Sequence, residues 1–162
     1  MYQRILAPID GSQTAQHAFT FALELAREVD AELIPLFVID VPILSYQAPG
    51  FPPSIVRDAL QREGEQLKAQ ALALMQCDDV RGMPRVVESD EPGGGIAERI
   101  LEEARATACD LIVMGTHGRR GVKRLILGSV AERLVRMSCY PVLLIPSGVE
   151  AVAQAHAAVA PK

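Results

Sequence analysis

The stretch from Leu111 to Ser129 reads LIVMGTHGRRGVKRLILGS. Its opening residues are all apolar, which predicts a strand over Leu111–Met114 that is buried on both faces and therefore central in a sheet. Three glycines follow with a spacing of G-x-x-G, nine residues and G-S: Gly115, Gly118 and Gly128. The last of them precedes an amphipathic segment, Ser129–Met137, that is typical of a helix. A buried strand, a glycine-rich connection and a helix in this order predict a parallel α/β sheet.

The rest of the chain alternates in the same way between short aliphatic runs and amphipathic segments. Strands are predicted at Arg4–Ile9, Glu32–Ile39, Arg85–Glu88 and Tyr140–Ile145, in addition to Leu111–Met114. Helices are predicted at Gln13–Val29, Ile55–Met75, Ile96–Thr107 and Ser129–Met137. Helical crossovers between successive strands imply a single-domain, open, five-stranded parallel sheet with helices on both faces.

Prolines and apolar spacing refine this layout. The segment Asp40–Ser54 is rich in proline, so we expect an irregular loop there. Pro35 lacks an N–H group, so the second strand is expected near a sheet edge or with a bulge. Ser12 is predicted as the N-cap of the first helix. The buried face of that helix is predicted to consist of Ala18, Phe21, Ala22, Leu25 and Ala26.

Two loops of this layout carry unusual chemistry. If the strands at Arg4–Ile9 and Leu111–Met114 are central neighbours, their carboxyl ends border a crevice, because ligands of open α/β sheets bind where the strand order reverses. One bordering loop begins with Asp10-Gly11-Ser12, and the other is the glycine-rich connection after Met114. We therefore expect any ligand to lie between these loops.

The glycine-rich connection has the features of a phosphate site. Glycine lets the backbone approach an anion closely and adopt positive φ, and successive N–H groups can surround the anion. Gly128 and Ser129 stand where a helix begins, so free N–H groups and the positive end of the helix dipole face the crevice. Ser129 can cap that helix or donate its hydroxyl to a phosphate oxygen. The same residues also fit plain turns and an ordinary N-cap, and that alternative stays open.

Two common phosphate motifs are excluded. No Gly-Lys-Ser/Thr follows the first glycines, so the pattern is not a Walker A loop, and it is not the dinucleotide G-x-G-x-x-G. A further glycine run, Gly93–Gly95, precedes the third predicted helix and is interpreted as a turn and a cap.

Composition limits the classes of function. The chain has 162 residues and a net charge of −4, so it suits one domain and lacks the broad basic surface of a nucleic-acid-binding protein. A local excess of positive charge lies at Arg119–Arg136, which fits either a phosphate or a solvated helix face. No segment is apolar over the length of a membrane span, and the N-terminus has no signal-peptide pattern, so we expect a cytoplasmic protein.

The cysteines Cys77, Cys109 and Cys139 are far apart, which indicates neither a zinc site nor a disulfide framework. Cys109 and Cys139 flank apolar runs and are expected to be buried in the core.

Three stretches resemble the universal stress protein family: RILAPIDGS at 4–12, MGTHGRRGVKRLILGSVAERLVR at 114–136 and YPVLLIP at 140–146. The resemblance covers about residues 2–146, and the glycine signature is that of the family's ATP-binding branch. It implies a sheet of strand order 3-2-1-4-5, of the Rossmann-like, adenine nucleotide alpha hydrolase-like type. It places the domain at residues 1–147 and leaves 148–162 as a tail that we expect to be disordered.

The resemblance also implies a nucleotide site, with ATP as the ligand and Mg²⁺ or Mn²⁺ at its phosphates; no metal-binding residue is assigned. The residues that match the family's site are Ala7, Pro8, Asp10, Val38, Met114, Gly115, His117, Gly118, Arg119, Gly128, Ser129 and Val130. Val38 would contact adenine, Asp10 would lie near the ribose or the metal, and Met114 and Gly115 would lie by the base and ribose. The residues around the phosphates would be His117, Gly118, Arg119, Gly128, Ser129 and Val130. A homodimer through the last strand, at Val142, Leu143, Leu144 and Ile145, and a regulated partner protein are implied as well.

The function that follows is an ATP-binding stress regulator or sensor with at most slow ATP hydrolysis. Asp10 could instead be a nucleophile, a metal ligand or a simple turn residue, but no second carboxylate of clear position accompanies it, so no catalytic residue is assigned. His17 and His156 have no partner at metal-ligand spacing. The alternatives are a nucleotide-metabolising enzyme of related architecture, by adenylyl transfer or hydrolysis, and a structural module without nucleotide.

Overall fold

The computed structural model of the chain describes residues 2–47, 50, 52–118 and 127–146. Its strands are β1 (Arg4–Pro8), β2 (Glu32–Ile39), β3 (Arg85–Glu88), β4 (Leu111–Gly115) and β5 (Val142–Ile145). Its helices are α1 (Gln13–Val29), α2 (Ile43–Gln47), α3 (Pro53–Cys77), α4 (Ile96–Ala106) and α5 (Ser129–Met137). Arg119 and the predicted tail at 148–162 lie outside the described residues, and the expectations for them stay predictions.

The strands form one parallel sheet in the predicted order, β3-β2-β1-β4-β5. β1 and β4 are its central neighbours, although most of the chain separates them in sequence. They pair at Ile5 with Leu111 and at Leu6 with Ile112. Because the chain leaves β1 toward β2 on one side and enters β4 on the other, the strand order reverses between these two strands.

Asp110 ties β1 to the start of β4 at the amino edge of the sheet. Its carboxylate accepts hydrogen bonds from the N–H groups of Gln3 (2.8 Å) and Arg4 (3.1 Å). Its own N–H donates to the Arg4 carbonyl at 3.0 Å. Three hydrogen bonds thus join the two strands just outside their short ladder.

The core has two layers, one on each face of the sheet. On the first face, α1 and the end of α3 cover side chains that include Ile5, Ala7, Leu33 and Val113. On the second face, α4 and α5 cover side chains that include Leu6, Leu36, Ile112 and Met114. Within the part of the chain that the structure describes, no helix is both long and apolar enough to cross a membrane.

The buried face of α1 is wider than the predicted one. Ala18, Ala22 and Ala26 are buried as expected, but Phe19 and Leu23 are also buried, at 6% and 5% exposure. Phe21 and Leu25 pack against the same cluster and are only partly buried. The prediction of the face was therefore partly wrong, because the helix turns the Phe19–Leu23 side toward the sheet. Ser12 is the N-cap, and its hydroxyl accepts a hydrogen bond from Ala15 N.

Prolines begin two helices in a region that the sequence predicted to be irregular. α2 follows Pro42, whose carbonyl accepts a hydrogen bond from Ser45 N at 2.9 Å. α3 begins with Pro53, before the predicted start at Ile55. Proline is compatible with the first turn of a helix, because the N–H that it lacks would have no partner there. The expectation of an irregular loop was therefore wrong for residues 43–47 and for the start of α3.

Pro35 lies inside β2 without interrupting the sheet. β2 is second in the order, next to the edge strand β3. Leu33 N donates to Arg81 O at 2.8 Å, and the nitrogen of Pro35, two residues further on, faces the same side. The ladder with β3 begins only at the pair of Leu36 and Arg85, so an N–H group at Pro35 is not required.

Two of the three cysteines are exposed. Cys109 is buried as expected, and burial raises the pKa of its thiol to about 11, so the thiol stays protonated at neutral pH. Cys139 is exposed, and the expectation that it belongs to the core was wrong. It lies in the turn between α5 and β5, where the apolar run of β5 has not yet begun.

A glycine in the middle of α3 lets this helix lie close to the sheet, and its replacement is expected to destabilise the fold. A Cβ at Gly64 would lie 2.7 Å from Phe37 Cδ1 and 3.0 Å from Val86 Cγ1. We expect Gly64→Ala to lower the free energy of unfolding by roughly 1–3 kcal/mol, despite the higher helix propensity of alanine. Gly94→Ala is the control, because a Cβ there meets nothing within 4 Å. Urea unfolding measures both, and a Gly64→Ala variant as stable as the parent would contradict the close packing.

Candidate functional site

The candidate site lies at the carboxyl edge of the sheet, where the β1–β4 ladder stops. The last ladder pair is Leu6 with Ile112, yet both strands continue, to Pro8 and Gly115. Beyond that pair, each strand leads into one of the two loops that the sequence predicted as borders of a crevice. The end of the ladder therefore leaves a gap between those loops.

The loop after β1 turns directly into the first turn of α1. Gly11 has φ +79°, which glycine adopts readily, and Asp10 Oδ1 accepts a hydrogen bond from Ser12 N at 2.9 Å. The Ser12 hydroxyl accepts from Ala15 N at 3.2 Å. Helix geometry leaves the N–H groups of Gln13 and Thr14 without partners inside α1. They lie at the positive end of the α1 dipole, at the edge of the gap.

Glycine is needed after β4 because other chain segments lie too close for a side chain, and not because the backbone has positive φ. A Cβ at Gly115 would lie 2.8 Å from Thr14 Cγ2, and one at Gly118 would lie 2.8 Å from Asp10 Oδ2. Neither glycine is among the described residues with positive φ, and neither is Gly128. The expectation that these glycines adopt positive φ was therefore wrong for this conformation. They bring the second loop against the first.

A pair of backbone hydrogen bonds fixes the base of the glycine-rich loop. Gly128 N donates to Thr116 O at 2.8 Å, and Thr116 N donates to Ile145 O at the end of β5 at 3.0 Å. The first bond brings the two ends of the loop together, although residues 119–126 between them lie outside the described residues. The second bond joins the loop to the edge strand.

Gly128, and not Ser129, is the N-cap of α5. Gly128 is extended, with φ −63° and ψ 150°, and its carbonyl accepts a hydrogen bond from Glu132 N at 2.8 Å. Ser129 is the first residue of the helix and is exposed. The alternative in which Ser129 caps α5 was therefore wrong. Helix geometry leaves the N–H groups of this first turn without partners inside α5, and Val130, which follows Ser129, is partly buried.

An open cleft of about 550 Å³ lies between the first turn of α1, α3 and Gly118. Its lining consists of residues 10–14, Glu63 and Gly118. Glu63 approaches the loop closely, since a Cβ at Gly11 would lie 3.6 Å from Glu63 Oε1. Sequence reasoning missed this second carboxylate beside Asp10. Its only signal is the neighbouring Gly64, which lets α3 approach the sheet at this point.

An apolar set of residues borders the same edge on the face covered by α4 and α5. Val38 of β2 pairs with Val87 of β3, and both are partly buried against that face. The other partly buried members near this edge are Ile96, Leu127 and Val130, and the buried Met114 lies behind them. Pro8, at the end of β1, is partly exposed. We call Val38, Val87, Ile96, Met114, Leu127 and Val130 the apolar wall. Three of these residues, Val38, Met114 and Val130, belong to the predicted site.

Ala7 does not belong to the apolar wall. Its side chain is fully buried in the core layer on the opposite face of the sheet, under α1 and α3. His117 follows Thr116 in the glycine-rich loop and is partly buried. Its Nδ1 is 2.9 Å from Thr116 Oγ1, and its Nε2 is buried without a hydrogen bond in the described structure.

The described residues hold no ready-made metal centre. Among residues 2–47, 50, 52–118 and 127–146, no group of three or more His, Cys, Asp or Glu side chains could hold a metal ion. His17 lies on α1, and His156 is outside the described residues.

Comparison with known proteins identifies the same family across nearly the whole chain. The profile of the universal stress protein family matches residues 1–146. A universal stress protein of Methanocaldococcus jannaschii is 34% identical over 146 residues, which are 90% of this chain and 82% of the relative. A solved structure of a universal stress protein family member from Burkholderia pseudomallei is 44% identical, with a TM-score of 0.75, over 90% of this chain and 96% of that chain.

A more distant solved structure contains a nucleotide. It is the universal stress protein from Archaeoglobus fulgidus in complex with dAMP, with 20% identity and a TM-score of 0.64, over 89% of this chain and 98% of that chain. At this identity the likeness concerns the fold alone. The family profile and the closer relatives carry the assignment, and the fold of the solved family member agrees with the strand order described above. The chain therefore belongs to the universal stress protein family.

Proposed function

We propose that this protein binds ATP at the carboxyl edge of β1 and β4 and acts as a stress-response regulator or sensor, with at most slow hydrolysis. One observation carries the proposal: Gly118 packs against Asp10 before α1, and Gly128, the N-cap of α5, packs against Thr116 and His117, so the starts of both helices border the same pair of loops. Two positive helix ends and several unbonded N–H groups favour a phosphate chain. The complex of the Archaeoglobus fulgidus relative with dAMP supports an adenine nucleotide as the ligand class.

The predicted residues divide between the two ends of such a ligand. Val38, Met114 and Pro8 would border the base, with Ala7 behind them, and Asp10 and Gly115 would lie by the ribose or the first phosphate. Gly118, Gly128, Ser129 and Val130 would surround the phosphates, together with His117 and Arg119. Mg²⁺ or Mn²⁺ prefers oxygen ligands and is often held by one or two carboxylates and by phosphates. The Asp10 carboxylate, with Glu63 in the same cleft, suits that role.

We also propose a homodimer through β5 and a cytoplasmic role in the control of a partner protein. β5 is the edge strand, and Val142, Leu143 and Leu144 are only partly buried in the single chain. An apolar edge with unpaired backbone groups is a template for a further strand. A second copy of the same strand would cover it.

A second candidate function is nucleotide hydrolysis at a functional rate. The observation that favours it is Glu63, which provides the second carboxylate that the sequence interpretation lacked. A carboxylate beside the phosphates could accept a proton from an attacking water. Release of phosphate at about 1 s⁻¹ or faster would favour this activity over a binding role.

Binding is tested by titration calorimetry with ATP in the presence of Mg²⁺. We expect saturable binding and, at a ligand concentration about one hundred times the dissociation constant, about 2.7 kcal/mol of added stability. Removal of the metal with EDTA should weaken ATP binding, because the cation neutralises phosphate charge beside Asp10. No heat and no shift of the melting temperature at millimolar ATP with metal would contradict the proposal.

The variant Gly128→Val tests whether the phosphates bind at the start of α5. A Cβ at Gly128 would lie 3.2 Å from Thr116 O and 3.3 Å from His117 Cα, so a larger side chain must displace the base of the loop. We expect the affinity for ATP to fall by about two orders of magnitude or more, because charge-assisted hydrogen bonds at the start of α5 are lost. Gly94→Val is the control and should bind ATP as the parent does.

The melting curve without ligand separates loss of binding from loss of folding in this variant. We expect only a small change, because Gly128 lies outside the buried layers of the core. Parent-like ATP affinity in Gly128→Val would show that this glycine is only a turn residue.

Sedimentation tests the dimer. We expect the parent to sediment as a dimer at micromolar concentration and Leu143→Arg, with a charge on the edge strand, as a 17.5 kDa monomer. A parent that is monomeric at this concentration would contradict pairing through β5.

A further inference from the structure

A single carboxylate ties the connection between β3 and α4 to the end of β2. Asp40, the residue after β2, accepts two hydrogen bonds at Oδ1, from Ser89 Oγ at 2.9 Å and from Gly93 N at 2.7 Å. Ser89 N also donates to Ile39 O at 2.9 Å. The connection Ser89–Gly95 is therefore held to β2 through both side chain and backbone. We call this arrangement the Asp40 clamp.

The local geometry makes this connection compact. Gly93 has φ +76°, and a Cβ there would lie 2.8 Å from Ile43 Cγ1 of α2. Gly95 is the N-cap of α4, and a Cβ on it would lie 3.3 Å from Ser89 Cβ. Glycine at these positions lets the connection pack against α2 and against itself. The start of α4 is thus fixed relative to β2.

The clamp fixes two parts of the apolar wall against each other. Val38 lies two residues before Asp40 on β2, and Ile96 is the first residue of α4, directly after the connection. Both side chains are partly buried on the same face, with Val87 beside Val38. Because Asp40 binds the connection at one end and continues β2 at the other, it sets the separation of Val38 and Ile96.

We propose that Asp40 is a positioning residue for the base end of the nucleotide site. The inference rests on the proposed function. A purine has two flat apolar faces, so it packs against apolar side chains that are held in fixed positions, and Val38 and Ile96 are both partly buried members of the apolar wall. The phosphates are placed at the other end, by Gly118 and Gly128. Loosening the clamp therefore weakens recognition of the base and leaves recognition of the phosphate chain unchanged.

The experiment compares affinities for ATP and for inorganic tripolyphosphate, which has the phosphates but no base. We expect Asp40→Ala to weaken ATP binding by about tenfold and to leave tripolyphosphate binding within about twofold of the parent. Asp40→Asn keeps the Oδ1 acceptor and should recover most of the ATP affinity. Asp90→Ala removes an equal charge from an exposed residue of the same connection, and it should match the parent for both ligands.

Ser89→Ala is the second variant and removes one donor of the clamp without touching the core. It should weaken ATP binding by about threefold, with no change for tripolyphosphate, and it decides the matter if Asp40→Ala does not fold. Parent-like ATP affinity in the folded clamp variant, or an equal loss for both ligands, would overturn the role of Asp40 and leave the proposed function standing. A parent that binds no adenine nucleotide would overturn both.

Discussion

The short ladder between β1 and β4 is the constraint on which the rest of this structure depends. Two pairs of residues join the strands, and Asp110 adds hydrogen bonds at the amino edge. Both strands then run on without further ladder pairs, to Pro8 and Gly115. Where the ladder stops, at the carboxyl edge, a gap lies between elements that come from opposite ends of the chain, and loop contacts such as that of Gly118 with Asp10 cross it.

Everything at that edge depends on how closely the backbone of one loop can approach the other. Gly115 contacts Thr14, Gly118 contacts the Asp10 carboxylate, and Gly128 contacts Thr116 O. At Gly115 and Gly128 a methyl group would meet backbone atoms, and at Gly118 it would displace the Asp10 carboxylate. The glycine signature is therefore explained by distance between chain segments, whereas the described glycines with positive φ, such as Gly11 and Gly93, lie outside that signature. A loop packed in this way brings two helix ends to one place.

Much of the fold could be predicted from the sequence, because it follows from local patterns. The apolar run at Leu111–Met114 is buried as expected, Ser12 caps α1, and the parallel direction of the strands follows from helical crossovers. The strand order itself was implied by the family resemblance. Errors arose where a pattern has two meanings. Proline disfavours the interior of regular elements, yet Pro42 directly precedes α2 and Pro53 begins α3. An apolar neighbourhood suggested burial for Cys139, which the turn before β5 exposes.

The candidate site could be predicted only in part, for a different physical reason. The loops after β1 and β4 can be recognised in the sequence by their glycines and charged residues. Glu63 and Asp40 do not, because their roles come from contacts between elements that are distant in sequence. Asp40 meets Gly93 across 53 residues, and Glu63 reaches the cleft because Gly64 allows α3 to approach Phe37. Such contacts leave no pattern in the spacing of neighbouring residues in the sequence.

The central claim is that the gap between β1 and β4 holds an adenine nucleotide. It is tested most directly by the small molecules that the protein carries when it is passed once through a desalting column from fresh cell lysate and then denatured. Mass spectrometry of the released fraction should find an adenine nucleotide in an amount comparable to that of the protein. Release of no nucleotide, or of another class of molecule in equal amount to the protein, would contradict the account.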